Sequence, residues 1–508
     1  MGRLMNSLSD LTAEALLSFR QAVSQPQDAA QLNNLSKAIT QATGLVWYDL
    51  QAPAKNMVPV ITPLRNRIPR VSGSGGTATN WKAVTGINTS NLRGFVPEGK
   101  RNGAVATTVT PKSASYKTLG LEDTVTFEAE MAAQNFEDIR ATTAQRLLWA
   151  LMIEEELAIL GGNSSVALGT PATPTGTRGA SGGSIPASGG SYKARVVALT
   201  LFGYLASSLA NGVVQDVQVT TVDGDTFTYG GGSSQKSAEV SVSSFSGSTN
   251  TLSLSVTPVP GAVAYAWYVD DGAGGAQTLQ AITTINSVLL TSLTTSGQNV
   301  SAITKDASQN SYAYDGILYQ AWASGSGAYI ATQATGTPGT GTPLTTDNAG
   351  GISEIDAMLK SMWDNYRLSP TVIYANAQEI NNITKKVLAS SGADYSFHIT
   401  NPGVGVGNIT AGSVVGNYLN KFAMGGNQLI PLMLHPYIPP GTLLAVTESL
   451  PYPINNVPNV MEMKLRRDYY QMEWPLRKRQ YETGVYVDGV LAHYFPPSVG
   501  IIANIANG

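Results

Sequence analysis

Gly94-Phe95-Val96-Pro97-Glu98-Gly99-Lys100-Arg101 comes closest to a chemical motif, because its two glycines and its lysine have the spacing of a phosphate-cradling P-loop. That chemistry needs a Ser or Thr hydroxyl after the lysine to hold magnesium, and Arg101 stands there. Glu98 would also oppose the phosphates, and the flanking residues predict neither a buried strand before nor a helix after, so nucleotide binding is rejected. Gly179-Ala180-Ser181-Gly182-Gly183 has the letters of a nucleophile elbow, but it sits in a Gly/Ser/Pro/Thr run with no strand-to-helix turn to present the hydroxyl. His398, His435 and His493 are the only histidines, and none has a second His or a Glu at the spacing of helical metal ligands. Each is read as a hydrogen-bonded structural residue. Glu154-Glu155-Glu156 cannot converge on one ion, since consecutive helix positions point in different directions, and the trio is read as a solvated face or as contacts to other chains. Gly403, Gly405 and Gly407 lack the helix that a dinucleotide site requires and are read as a loop. No catalytic, cofactor-binding or metal-ligating residue is assigned.

A second group could serve nucleic acid. Lys464, Arg466, Arg467 and Arg477-Lys478-Arg479 alternate with Tyr469, Tyr470, Trp474 and Tyr481, a mixture of cations and stacking surfaces. Glu462, Asp468, Glu473 and Glu482 interrupt it, which argues against a uniformly positive groove and for ion pairs between subunits on a closing sheet. Composition agrees: of 508 residues 13% are charged and the formal net charge is -3, so the chain is neither a polybasic binder nor an acidic disordered one. Cysteine is absent, which excludes disulfides, thiolate metal sites and a Cys nucleophile. The first ten residues lack the order of a secretory signal, and Asn6 departs from a myristoylation motif. The most apolar run, Ala194 to Ala210, is interrupted by Arg195, Thr200 and Tyr204 and reads as strands of a soluble domain, not as a membrane span.

The elements that would position these residues are extended and modular. Residues 9–43 predict two short helices, followed by a proline-punctuated path through Pro53, Pro59, Pro63 and Pro69. Residues 94–119 predict two β-leaning stretches around Thr110-Pro111-Lys112, a hairpin unable to stand alone. From Asn135 to Gly162 one long helix is expected, capped by Asn135, with Ile139, Thr143, Leu147, Ala150, Ile153, Leu157 and Leu160 as a narrow apolar stripe and Gly161-Gly162 as its stop. Gly169 to Ser191 reads as a linker. Strand signals then recur between Tyr192 and Leu293; Val263, Tyr265, Trp267 and Val269 make one heavy face and Ala264, Ala266 and Tyr268 a lighter one. A second linker, Ala331 to Gly350, precedes a helix at Ile352 to Tyr366. Next come a strand at Thr371 to Ala375 and a helix opened by Asn376, with Glu379 completing a capping box. Met461, Met463 and Leu465 alternate with charged residues, and Val485 to Leu491 reads as a hairpin turning at Asp488-Gly489.

A spine helix that follows an extended loop, then the Ser369-Pro370-Thr371 helix-to-strand junction and a C-terminal strand block, resembles the major capsid proteins of tailed double-stranded DNA bacteriophages, the Hong-Kong-97-like fold. The region around Trp267, between the Pro258-Val259-Pro260-Gly261 and Asp270-Asp271-Gly272 turns, resembles an immunoglobulin-like or fibronectin-III-like sandwich. The resemblance implies an α+β fold with an N-terminal arm (1–80), an extended E-loop hairpin (81–125) and a spine helix with the peripheral domain (126–169). It further implies a linker and all-β insertion (170–303), a peripheral return with linker and helix (304–368), an axial domain (369–455) and closing strands (456–508). It implies no enzyme and no cofactor, but a subunit that assembles with itself into hexamers and pentamers of a closed shell around double-stranded DNA, without a membrane. Scaffolding, portal and decoration proteins would be its partners and the virion its location. Lys100, Lys112 and Lys117 lie where some members of that family supply the amine of a covalent cross-link, although no partner Asn or Glu is matched. An encapsulin-like compartment shell and a surface adhesin are the alternatives. Deleting residues 170–303 is expected to leave the body able to form particles.

Overall fold

The computed structural model describes residues 57–73, 75–134, 137–187, 191–390, 415–426, 428–453 and 455–506. The helices expected in residues 9–43, the cap Asn135, His398 and the glycine run at 403–407 lie outside them. The chain forms two compact units, one from Met1–Thr62, Leu121–Ile153 and Gln471–Val485, the other from Pro63–Gly120, Glu154–Tyr470 and Tyr486–Gly508.

The larger unit is built on a six-stranded mixed sheet in the order Tyr329–Thr332, Val499–Ala503, Leu443–Val446, Val372–Ala375, Gln428–Leu434, Asn417–Asn420. Its two central strands, Val372–Ala375 and Leu443–Val446, are buried along their whole length, as a sheet covered on both faces requires. The helix Ser353–Tyr366 packs Ile355, Met358, Leu359 and Met362 into that core and ends where Arg367 adopts φ 56°, a left-handed C-cap ahead of Pro370. The next helix, Ala377–Ser390, is capped as expected by Asn376, whose Oδ1 accepts the Gln378 N–H at 3.0 Å. Glu379 does not complete the box. Its buried carboxylate instead accepts the Gly441 N–H at 3.0 Å.

Two further sheets form the sandwich. One has the order Ser287–Leu290, Thr251–Ser255, Thr175–Gly179, and the other Thr278–Thr283, Ala264–Val269, Ser191–Leu199, Val240–Ser243. Tyr192, Leu252, Tyr265, Trp267, Val269 and Val288 meet between them, so the heavy face read from the sequence is the core face. The lighter face is buried as well: Ala264, Ala266 and Tyr268 join Val213, Val300 and Ile303 in a second cluster. The segment read as a linker is the strand Thr175–Gly179, paired with Thr251–Ser255. Its glycines are there for space, since a methyl at Gly176 would overlap Val242 and one at Gly179 would overlap Thr251. The apolar run after Leu199 also differs from the expectation. Thr200 caps a helix at Leu201–Ala206 by accepting the Gly203 N–H at 3.2 Å, so strand gives way to helix there.

The long helix runs from Ile139 to Gly161 and is opened by Asp138, whose Oδ1 accepts the Ala141 N–H at 3.1 Å. Thr143, Leu147, Ile153, Leu157 and Leu160 are buried in the expected stripe. Leu151, Glu155, Glu156, Ala158 and Ile159 are buried too, so its last two turns are enclosed on every side and do not lie across a surface. The expected hairpin also has different arms. Ala78–Ile87 pairs with Thr107–Ser115, Pro111 sits mid-strand opposite Lys82, and residues 88–106 form the tip. A two-stranded ribbon leaves one edge of each strand free, and a proline is tolerated where its nitrogen faces that edge. Near the C-terminus Gln480–His493 is one continuous strand through Asp488-Gly489. A Cβ at Gly489 would stand 2.9 Å from both Leu465 and Met463, so close strand packing, not a turn, requires the glycine.

In the smaller unit, Thr126 caps the helix Phe127–Ala133 through the Ala129 N–H at 3.3 Å. Arg140 lies 4.3 Å from the centre of the Tyr481 ring and 3.2 Å from Glu473, and Arg479 pairs with Glu128 at 2.8 Å.

Candidate functional site

The five-residue helix Pro63–Arg67 is too short to persist unaided, and a carboxylate distant in sequence holds its start. Glu156 Oε1 accepts the Leu64 N–H at 2.9 Å and Oε2 accepts the Arg65 N–H at 2.7 Å, which satisfies two of the donors that a helix N-terminus leaves free. Oε1 also lies 2.8 Å from His435 Nε2. The Tyr437 N–H donates to His435 Nδ1 at 3.2 Å, which places the ring proton on Nε2, directed at Glu156.

Glu155, one residue earlier, grips the same segment by its side chains. It receives Arg65 Nε at 3.0 Å, Arg70 Nη1 at 2.7 Å and the Tyr469 hydroxyl. Arg70 also reaches Asp468 at 2.6 Å and lies 4.8 Å from the centre of the Tyr469 ring. Burial works against the charge on Arg70, but Asp468 and Glu155 raise its pKa above the ordinary arginine value. Tyr314, fully enclosed nearby, has its hydroxyl pushed far upward by burial and then by Glu155. Every oxygen of the two carboxylates is engaged, so they hold the chain leaving Pro63 and neither is left free for proton transfer or metal ligation.

Sequence reasoning placed Glu155 and Glu156 on a solvated face or against other chains, and the structure buries both within this chain. The missed signal was mutual: three carboxylates closing an apolar helix need cations, and Arg65, Arg67 and Arg70 lie within one proline-flanked stretch. Several of the basic residues near the C-terminus also have partners within the chain. Lys464 pairs with Glu462 at 2.8 Å, Arg466 with Asp488 at 3.3 Å, and Arg467 lies 4.2 Å from the Tyr470 ring centre.

The ribbon is the opposite of this anchor. Neither strand contains a buried residue, and Val84 and Val109 stand exposed directly across from each other. At the tip Phe95 is 96% exposed, with Val96 and Val105 beside it, and Ile87 is 73% exposed where the strand ends. The P-loop-like residues form this exposed tip, and no helix follows them. Lys100 and Lys112 are exposed on the ribbon, while Lys117 donates to the Ser311 carbonyl at 2.5 Å. Ser181 lies in a bend after the Thr175–Gly179 strand, with no helix behind it. His493 is buried with Nε2 2.9 Å from Ser498 Oγ, and burial lowers its pKa to about 4. Among the described residues no group of three His, Asp or Glu could hold a metal ion, and no helix is long and apolar enough to cross a membrane.

No family model and no curated protein matches the sequence. Solved structures do align over nearly the whole chain. The capsid of Myoviridae phage XM1 matches at 8% identity and a TM-score of 0.39, covering 91% of this chain and all of that one. The capsid of a native GTA particle matches at 8% identity and 0.41, covering 92% and 99%. The capsid of cyanophage A-1(L) matches at 12% identity and 0.39, again covering 92% and 99%.

Proposed function

We propose that this chain is the major capsid protein of a tailed double-stranded DNA phage, a subunit that closes with copies of itself into hexamers and pentamers of a shell. One observation carries the reading: two long strands and their tip expose Val84, Ile87, Phe95, Val96, Val105 and Val109 without one buried residue in either strand. A two-stranded ribbon is marginal alone in water, and an apolar surface of this kind marks an interaction site. Copies of the same chain, each offering one ribbon, cover one another in a closed symmetric assembly. Weak contacts then sum without any single strong site. The two-sheet sandwich adds a surface of its own, read as an immunoglobulin-like module on the particle. Scaffolding, portal and decoration proteins are the partners such a shell uses, and the virion is its location.

Expression of the full chain and imaging of the purified product tests this. Hollow particles of uniform size are expected. A chain that stays monomeric at high concentration contradicts the reading, and particles that package a cargo enzyme in place of DNA move it to an encapsulin-like compartment.

A further inference from the structure

Asn-Gly occurs at Asn102-Gly103, Asn211-Gly212 and Asn507-Gly508, and the last pair lies outside the described residues. This dipeptide can modify itself. The backbone nitrogen that follows an asparagine is tethered within reach of that asparagine's own side-chain amide, and a glycine there puts no Cβ in the way.

The structure separates the two described pairs. Asn102 and Gly103 are exposed in the irregular stretch of the ribbon tip, and the Gly103 N–H donates to Asn102 Oδ1 at 2.8 Å, so the nitrogen already lies beside the carbonyl it would attack. Lys100 and Arg101, just upstream, favour the negative charge that this nitrogen acquires on losing its proton. At the second pair Gly212 is buried, and its N–H donates to the Ser208 carbonyl at 2.8 Å. That bond must break and the turn must open before this nitrogen can attack.

We infer that Asn102 converts spontaneously to a succinimide and then to aspartate or isoaspartate, while Asn211 is kept intact by its turn. In the first step the Gly103 nitrogen bonds to Asn102 Cγ and the Cγ–Nδ2 bond breaks, so ammonia leaves with the proton given up by Gly103. Water then opens the ring. Cleavage between the nitrogen and Cγ gives aspartate, and cleavage between the nitrogen and the Asn102 backbone carbonyl carbon gives isoaspartate.

The product changes the tip. Asn102 Nδ2 donates to the Arg93 carbonyl at 2.6 Å and so closes the tip across residues nine apart. A carboxylate only accepts, so that bond is lost, and isoaspartate adds a methylene to the backbone. Arg93, Lys100 and Arg101 against Glu98 give residues 88–106 a formal charge of +2, and conversion removes one unit. The change is irreversible and stands whether or not the chain assembles.

Full-length protein held in mildly alkaline buffer and sampled over time tests this, by mass spectrometry of peptides spanning each pair and by an isoaspartyl methyltransferase as reporter. The amide-to-acid mass change and methyl acceptance are expected at Asn102. In the folded chain Asn211 is expected to convert more slowly than Asn102 by about tenfold or more, and Gly103→Ala, with its fold confirmed by circular dichroism, to slow Asn102 by a similar factor. In urea the two sites should convert at similar rates. Trypsin should cut after Arg93 faster in Asn102→Asp than in the parent. An Asn102 that stays unmodified, or equal rates at the two sites in the folded chain, overturns the inference. Unchanged cleavage at Arg93 overturns the opening of the tip and leaves the chemistry standing.

Discussion

The Glu156 carboxylate lies 2.8 Å from Nε2 of His435, and neither side chain has any exposed surface. The same carboxylate starts the Pro63–Arg67 helix, so one group ties the end of the long helix, the loop that follows the sheet strand Gln428–Leu434 and the root of the N-terminal segment. Removing it strands three N–H donors in the interior. Glu156→Ala is expected to cost about 3 kcal/mol, the scale for breaking one side of a buried polar pair. Urea unfolding gives the magnitude, and faster tryptic cleavage at Arg65 and Arg67 reports loss of the small helix. Unchanged cleavage and stability would show that the anchor is dispensable.

Two buried groups give the larger unit opposing responses to acid. His493 has its pKa lowered to about 4 by burial, so the stability it contributes is present above its free value of 6.5 and is lost as pH falls toward 4. Two and a half units correspond to about 3 kcal/mol. Glu379 is shifted the other way, up to about 6, chiefly by burial and against the Gly441 hydrogen bond. Its contribution is full below the free value of 4.5 and is lost as pH rises through 6, about 2 kcal/mol in all. Between pH 4.5 and 6 the two slopes largely cancel. Chemical denaturation across pH should therefore show a steeper acid loss in Glu379→Gln than in the parent, and a shallower one in His493→Gln. Parallel profiles for all three proteins would refute the assignment.

Close packing at two glycines predicts a contrast with one at the ribbon tip. A methyl at Gly120 would overlap the Tyr486 ring, and one at Gly489 would stand 2.9 Å from Leu465 and Met463. Either substitution to alanine is expected to lower stability by about 2 kcal/mol through overpacking. Gly99 has φ 71° but nothing within 4 Å, so alanine there meets only backbone strain, about 1 kcal/mol, confined to the exposed tip. Thermal melts of the three variants separate the mechanisms, and equal losses would mean that the strand contacts are looser than drawn.

What was legible in the sequence followed from periodicity. The long helix, the helix Ser353–Tyr366 and the strand around Trp267 stand where the spacing of large apolar residues put them, although in the long helix and the strand burial extends beyond the predicted face. Composition misled where glycine and serine stood for space and not for freedom, as in the Thr175–Gly179 strand, and where Asp488-Gly489 had the letters of a turn inside a continuous strand. The anchor was hidden for a further reason. Burial of Glu155 and Glu156 depends on Arg65 and Arg70, about ninety residues away, and the helix itself records only that charges are present.

The expectation that residues 170–303 can be removed without harm meets a specific obstacle within the larger unit. Asn286, in the sandwich, and Asn504, just after the strand Val499–Ala503 of the six-stranded sheet, exchange hydrogen bonds: the Asn286 N–H donates to Asn504 Oδ1 at 2.8 Å and Asn504 Nδ2 to Asn286 Oδ1 at 3.0 Å. Asn504 holds φ 62°, a left-handed conformation that asparagine tolerates better than most residues. Tyr319 makes a second tie, accepting the Leu201 N–H and donating to the Gly261 carbonyl, both at 3.1 Å. Deletion would leave these buried groups facing water or one another unpaired, so the shortened chain is expected to be less stable by several kcal/mol, at roughly 1 to 3 kcal/mol for each unsatisfied polar group. Asn504→Ala in the intact chain isolates the seam. A loss of about 2 kcal/mol in urea unfolding is expected there. A deletion variant that unfolds at the parent's midpoint would restore the picture of a freely tethered module and remove the seam from the account of stability.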